Sequence, residues 1–433
     1  MWDFSTDPDF QKKLDWMTTF VREECEPLDY LFPHGGDPYD VNNKAARRIL
    51  KPLQEKVKEQ SLWACHLGTE LGGQGYGQLY LGLMNEIIGR SYWAPTVFGT
   101  AAPDTGNAEI LAMFGTKAQK DRYLKPLLDG DIVSTFSMTE PQAGADPGEF
   151  TCKATQDGDE WVIEGEKWFS SNARFAEFLI VMAVTDPDAA PHQRLSMFIV
   201  PKETPGVDII RNVATMLERT ELDEGTHGYI RYNQVRVPAD HMLGGVGEGF
   251  KVAQARLGGG RVHHAMRTVG KCQRALDMMC ERALSRRTRG ATLADQQAVQ
   301  HYIADSVIEL EQFRLLVLKT AWIIDNEPHG SARRYIAMCK VQMAKIYHDI
   351  IQRTIQVHGS LGTTTELPLF DWWTGSTSLA LADGPTEVHK NGVAKGTLKA
   401  YSPAPGLFPT EHIPPRLEAV RKKYADIVSE FSL

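Results

Sequence analysis

The apolar residues of this chain change their spacing twice, and that double change limits the fold more than any other feature. Over residues 1 to about 130, segments such as Ala45–Trp63 and Tyr80–Arg90 carry helix formers at helical spacing. From Ile132 to about Val237 the apolar runs are short: Trp161–Ile163, Phe178–Thr185, Leu195–Pro201, Val207–Ile210 and Gly228–Val237, separated by Gly, Pro and Asp. Helical spacing then returns from Phe250 to about Leu398, as in Val299, Tyr302, Ile303, Val307 and Leu310. A helical, β, helical order without βαβ alternation argues against a parallel doubly wound sheet and for a compact β-domain flanked by helices. A Pro-rich stretch, Ser402–Pro415, precedes a last helix with apolar positions Leu417, Val420, Tyr424, Ile427 and Phe431, which needs a docking surface.

Composition narrows the function classes. With 47 Lys+Arg against 55 Asp+Glu the net charge is −8, which offers no general attraction to phosphate backbones, so no nucleic-acid partner is expected. The apolar runs fall far short of the roughly 20 residues that span a bilayer. Four aspartates near the N-terminus, with neither an apolar signal core nor an acid-poor transit pattern, fit a cytoplasmic location. Six cysteines without a CxxC pair fit a reducing compartment. No HExxH marks a metal site, and none is expected; GxGxxG, GxxxxGK[ST] and GxSxG are missing too.

Three segments stand out. Thr135–Asp146 puts hydroxyls, a bare Gly144 and two carboxylates at the helix-to-β boundary, where ligands often bind, although Thr139-Glu140-Pro141 also reads as a strand end and turn. Gly258-Gly259-Gly260-Arg261 lies in a helical stretch where each Gly costs about 1 kcal/mol relative to Ala, so either a bare backbone, close packing or a helix break is needed there. Ala382-Asp383-Gly384-Pro385 joins two helical patterns and sets a carboxylate after the apolar Leu379–Ala382. Asp383 is by type a turn residue, and in such company it also suits a general base acting on a weak carbon acid.

Several motifs together resemble the acyl-CoA dehydrogenase family. Thr139-Glu140-Pro141 with Gly144-Ala145-Asp146 is similar to the flavin-loop motif TEPxxGSD, and Glu70–Gly75 to the ExGGxG loop. Lys167–Asn172, Gly249–Lys251, Ala283–Thr288, Gln297-Ala298, Gln356–Gly359 and Asp383-Gly384 follow in family order over about residues 10 to 398. The resemblance implies an α+β fold: an N-terminal helical domain (1–131), a β-barrel domain (132–248) and a C-terminal four-helix bundle (249–400), with a Pro-rich segment and terminal helix after them (401–433). Ala255–His264 and Ala382–His389 look most like the branch that in animals is fused to a kinase-like phosphotransferase domain. The 433 residues hold no such domain, which leaves room for a separate kinase as partner.

The activity this resemblance implies is oxidation of an acyl-CoA thioester to trans-2-enoyl-CoA, with FAD as the hydride acceptor that no side chain can replace. Asp383 takes the place of the usual Glu base, one methylene shorter. Some members instead carry the base at the position of Gly260, which is closed to this chain. The matched flavin contacts are Phe136, Met138, Thr139, Gly144, Ala145, Phe169 (where a stacking Trp is usual), Ser171, Pro385 and Glu387. Arg286 and Thr288 match residues that reach the pyrophosphate of a neighbouring subunit's FAD, and Gln297, Gln356 and Gly359 match other adenine-side contacts. Ala145, Gly258, Arg261 and Gly384 fall at the acyl site. Three departures, Ala145 for Ser, Gly258 for Asp and Pro385 for Thr, imply an acyl site of altered shape. It would admit a substituent such as a 4-hydroxy or 4-phospho group, met by His263 or His264. The family also implies a homo-oligomer, dimer or tetramer, reoxidised by electron-transferring flavoprotein. Two other classes stay open: a flavin oxidase of the same fold, like the nitroalkane oxidases that also use an Asp base, and a non-catalytic acyl-CoA-binding protein.

Overall fold

The computed structural model describes residues 4–33, 36–144, 146–216, 218, 221–328 and 330–432. The N-terminal helices include α1 (Pro8–Phe20), α2 (Lys44–Glu59), α3 (Gly77–Ile88) and α4 (Asp104–Phe114). Helix α1 begins where Asp7 accepts the N–H groups of Asp9 and Phe10, with Pro8 at the first helical position where no N–H is needed. Its buried residues, Phe10, Leu14, Met17 and Phe20, recur at helical spacing.

The middle of the chain forms a curled seven-stranded sheet: β1 (Ser134–Ser137), β2 (Lys153–Asp157), β3 (Glu160–Ser171), β4 (Phe178–Val184), β5 (Leu195–Pro201), β6 (Val207–Val213) and β7 (His227–Pro238). Strands β1 and β2 both run parallel to β4, and every other pairing is antiparallel. All seven residues of β4 are buried, and they feed two cores by the strand's period of two. Phe178, Ile180 and Met182 pack with Ile110, Leu111 and Val252, whereas Leu179, Val181 and Ala183 pack with Trp161, Phe198 and Tyr232. The apolar run 178–184 therefore reads correctly as a fully buried strand. Strands β1 and β2 were not marked by the apolar pattern, because STFS and KATQD contain few apolar residues.

The C-terminal helices are α5 (Gly249–Ser285), α6 (Gln297–Asn326), α7 (Arg333–His358) and α8 (Leu369–Leu381), with a small hairpin, β8 (Arg287–Thr288) and β9 (Ala291–Thr292), between α5 and α6. They share one core with the N-terminal helices, in which Phe10, Met84, Met266, Phe313 and Ile350 are all buried. The 37 residues of α5 run through Gly258–Gly260 without interruption, so the glycines mark no helix break. Helix α9 (Thr386–Leu398) follows, then α10 (Ile413–Lys423) and α11 (Ala425–Phe431); the single terminal helix expected is divided at Tyr424. The chain divides into two compact units, residues 1–390 and 391–433.

Candidate active site

Asp383 stands in the turn between α8 and α9. Helix α8 closes with the Ala382 N–H donating to Ser378 O, and Asp383 and Gly384 then take φ of 56° and 103°, the left-handed region. Gly384 is required there twice over, since a Cβ would also lie 2.9 Å from His389 Nε2. Three groups hold the turn: Arg261 Nε donates to Asp383 O at 3.0 Å, His389 Nε2 lies 3.2 Å from the same oxygen, and Lys340 Nζ donates to Leu379 O at 2.5 Å. Among the described residues the Asp383 backbone N–H has no protein acceptor.

The left-handed step swings the carboxylate away from the apolar end of α8 and onto the polar side of α5. His264 Nε2 lies 3.8 Å from Asp383 Oδ2, and the carboxylate acts electrostatically on Arg256, Arg261, Arg267 and Lys340. The apolar company expected from Leu379–Ala382 is thus corrected. Those residues belong to α8, where Leu379 is buried and Leu381 is exposed, and neither defines the surroundings of Asp383.

The glycine run of α5 supplies bare backbone opposite this carboxylate. A Cβ on Gly260 would lie 3.9 Å from Asp383 Oδ2, one on Gly258 would meet nothing within 4 Å, and one on Gly259 would lie 3.0 Å from Glu109 Oε2. Glu109 belongs to α4, and burial pushes its carboxyl up to about 7 against the lowering effect of Arg256. Asp104 on the same helix is also raised to about 7 by burial; its carboxylate accepts from Ser134 N and Oγ. Arg256 donates from Nε to Asn107 Oδ1 at 2.9 Å, and its guanidinium lies 4.0 Å from the Phe136 ring centroid. Sequence reading passed over Glu109, Arg256 and Arg267; the only available signal was the placement of Asp104, Asn107 and Glu109 within an otherwise apolar helix.

Beyond His264 lies a second polar group. Arg267 is 7 % exposed, its Nη1 reaches only Thr100 O at 3.4 Å, and among the described residues no carboxylate pairs with it. The rings of His66 and His263 stand 6.3 Å apart, and among the described residues both His66 nitrogens and His263 Nε2 are buried without a hydrogen-bond partner. Burial and the Arg267 charge depress these histidines, His66 and His264 to about 4 and His263 well below the usual imidazole value, so all three are neutral at pH 7.

The loop after β1 is fixed by a buried ion pair. Lys167 Nζ donates to Glu140 Oε1 and to Met138 O, both at 2.8 Å, and both side chains are fully buried. Glu140 also accepts from Thr151 N at 2.7 Å and Cys152 N at 3.0 Å, so both carboxylate oxygens are satisfied. The Trp168 N–H donates to Thr139 O at 2.7 Å, joining the loop to β3. Phe136 is buried, Met138 and Thr139 are half-buried, and Ser171 Oγ lies 3.0 Å from His227 Nδ1. Gly144 has φ 54° and nothing within 4 Å of a Cβ, while Phe169, also left-handed, is 49 % exposed. Among the described residues the buried Trp168 indole N–H has no hydrogen-bond partner. An exposed ring, a half-buried Thr139 hydroxyl and a bare glycine suit a flat aromatic ligand that needs a hydrogen bond at its edge. Ala145 lies outside the described residues.

The remaining residues matched by motif lie on or beside the C-terminal helices. Arg286, Thr288, Gln297, Gln356, Gly359 and Glu387 are exposed, and Pro385 is half-buried beside Asp383. Arg286 directly follows the continuous helix α5, 26 residues from Gly260, about 39 Å at the usual helical rise. Among the described residues no helix is long and apolar enough to cross a membrane.

Three family models match: acyl-CoA dehydrogenase N-terminal domain over residues 11–131, middle domain over 135–229 and C-terminal domain over 247–398. FadE2 of Mycobacterium tuberculosis, named a probable acyl-CoA dehydrogenase, is 42% identical over 396 residues, 90% of this chain and 95% of FadE2. Acyl-CoA dehydrogenase family member 11 of Rattus norvegicus is 40% identical over 398 residues, 90% of this chain but 50% of the rat protein, so the chain spans about half of that relative. A solved structure described as an acyl-CoA dehydrogenase from Mycobacterium abscessus superposes with a TM-score of 0.83 at 36% identity, covering 92% of this chain and all of that one.

Proposed function

Because the chain belongs to the acyl-CoA dehydrogenase family, an oxidoreductase family, we propose that it binds FAD and desaturates an acyl-CoA thioester to trans-2-enoyl-CoA with Asp383 as the base. The observation that carries this reading is the placement of the Asp383 carboxylate on a rigid left-handed turn against bare Gly260. In the proposed reaction the α-C–H bond breaks with its proton going to Asp383, the β-hydrogen leaves with its electron pair, and a C=C bond forms between the two carbons. FAD, when bound, supplies the hydride acceptor. The unengaged Asp383 N–H would donate to the thioester oxygen as negative charge develops there. Arg261 and His389 fix the carbonyl of the same residue, so the base and this N–H keep one geometry.

For the cofactor, the candidate contacts are Phe136, Met138, Thr139, Gly144, Phe169 and Ser171. Arg286, Thr288, Gln297, Gln356 and Gly359 would serve the FAD of a second copy, which makes the working form a homo-oligomer. Electron-transferring flavoprotein is the proposed oxidant. The acyl tail would end at Arg267, His66 and His263. A buried unpaired guanidinium beside neutral imidazoles fits a hydroxyl or an anionic substituent better than a plain alkyl end.

An anaerobic titration of the FAD-loaded protein with plain, 4-hydroxylated and 4-phosphorylated acyl-CoAs tests this. The expected result is flavin bleaching with formation of enoyl-CoA, strongest for a substituted acyl group. Bleaching by nitroalkanes alone would make it an oxidase, and ligand binding without any bleaching would make it an acyl-CoA-binding protein.

A further inference from the structure

The acyl site contains a second carboxyl group that α-proton abstraction does not use. Glu109 reaches from α4 to the glycine run of α5, and a Cβ at Gly259 would come within 3.0 Å of its Oε2. Any larger residue at 259 would displace it. Among the described residues it has neither a hydrogen bond nor an ion pair, and Arg256, the nearest charge acting on it, is committed through Nε to Asn107. A half-buried carboxyl without a protein partner among the described residues, beside backbone bare of side chains, is an acceptor open to a donor from outside the chain.

The direction of the site along α5 says which part of a ligand that donor belongs to. C-terminal to Gly260 lie the buried His263 and Arg267, with the half-buried His264 between them. N-terminal to it lies Gly258, with nothing within 4 Å of its Cβ position. A thioester whose α-carbon meets Asp383 must place its acyl tail toward the buried end and its thiol arm toward the open one. Glu109 meets α5 at Gly259, one residue from Gly260 toward that open end. The arm of a CoA thioester carries secondary amides and a hydroxyl, which are hydrogen-bond donors.

We propose that Glu109 is a binding residue for the amide-bearing thiol arm of the substrate, accepting a hydrogen bond from it beside Gly258 and Gly259. The inference rests on the dehydrogenase reading above and adds a second anchor, so that the arm and the α-carbon are registered by carboxylates from two different helices.

The test measures Kd for two trans-2-enoyl-CoAs, one plain and one 4-hydroxylated, which are already oxidised, from the flavin absorbance of the holoenzyme, together with the flavin reduction rate at saturating substrate. Glu109→Leu is expected to weaken both ligands equally, by about tenfold or more, with the saturated rate within about threefold of wild type. Glu109→Gln, which retains an acceptor, should stay within about threefold on both. Glu109→Asp, which withdraws the oxygens by one methylene, should weaken both, and it carries the test should the Leu variant not fold. Unchanged affinities in the Leu and Asp variants would overturn the proposal while leaving the dehydrogenase reading intact. A loss confined to the 4-hydroxylated ligand would overturn it too, by assigning Glu109 to the acyl tail. Wild-type protein that binds neither enoyl-CoA would remove the dehydrogenase reading and this inference with it.

Discussion

Glu109 and the neighbouring histidines titrate in opposite senses, and the signs can be worked out. Burial raises Glu109 to about 7, above its ordinary carboxylate value, so the folded chain favours the neutral acid. That contribution is complete below about pH 4 and is lost as pH rises through 7. His66 and His264, depressed to about 4, contribute stability that is present above about pH 6.5 and lost as pH falls toward 4. Replacing Glu109 by Gln removes the first effect alone. The melting temperature of Glu109→Gln relative to wild type should therefore climb as pH rises from about 4.5 to 8; a pH-independent difference would show that Glu109 is not buried as described. Residue identity in the motifs was sufficient to single out Asp383, Arg261 and the Gly258–Gly260 run. Glu109 and Arg267 were not legible, because their meaning comes from contacts more than 100 residues away in sequence, as with Glu109 and Gly259, or from the lack of a partner, as with Arg267.

Helix α5 carries glycines of two kinds, which gives a prediction at the level of the element. Gly258 faces open space, so Gly258→Ala removes a helix penalty of about 1 kcal/mol without a clash; it should raise the melting temperature while raising KM, since the new methyl narrows the cavity. Gly270 instead lets α5 meet α3, and a Cβ there would lie 2.0 Å from Glu86 O. Gly270→Ala should therefore destabilise, by about 1–3 kcal/mol or more, because backbone must move. Thermal melts of the two variants check both signs, and equal shifts would contradict the assignment. The long helices and β4 were readable because their apolar periods are strong. Strands β1 and β2 were not, because they are defined by pairing to β4 and β3 rather than by composition. The uninterrupted helix at Gly258–Gly260 was likewise hidden, since packing with α3, α6 and α7 holds α5 together where propensity alone would weaken it.

For the whole molecule, the order of three structural regions fixes where chemistry can occur. The N-terminal and C-terminal helices share a core, the sheet presents the loop after β1, and α5 passes beside Asp383 before running about 39 Å further to Arg286. In the proposed function one end of that helix would serve the acyl site of its own chain, and the other the FAD of a second copy. The central claim is that Asp383 takes the substrate's α-proton, and single-turnover flavin reduction by the best acyl-CoA, followed anaerobically in FAD-loaded wild type and Asp383→Asn, tests it most directly. The account predicts that the variant keeps its FAD and binds substrate but reduces the flavin about 10²–10⁴-fold more slowly. An Asn variant that reduces its flavin at the wild-type rate would contradict it.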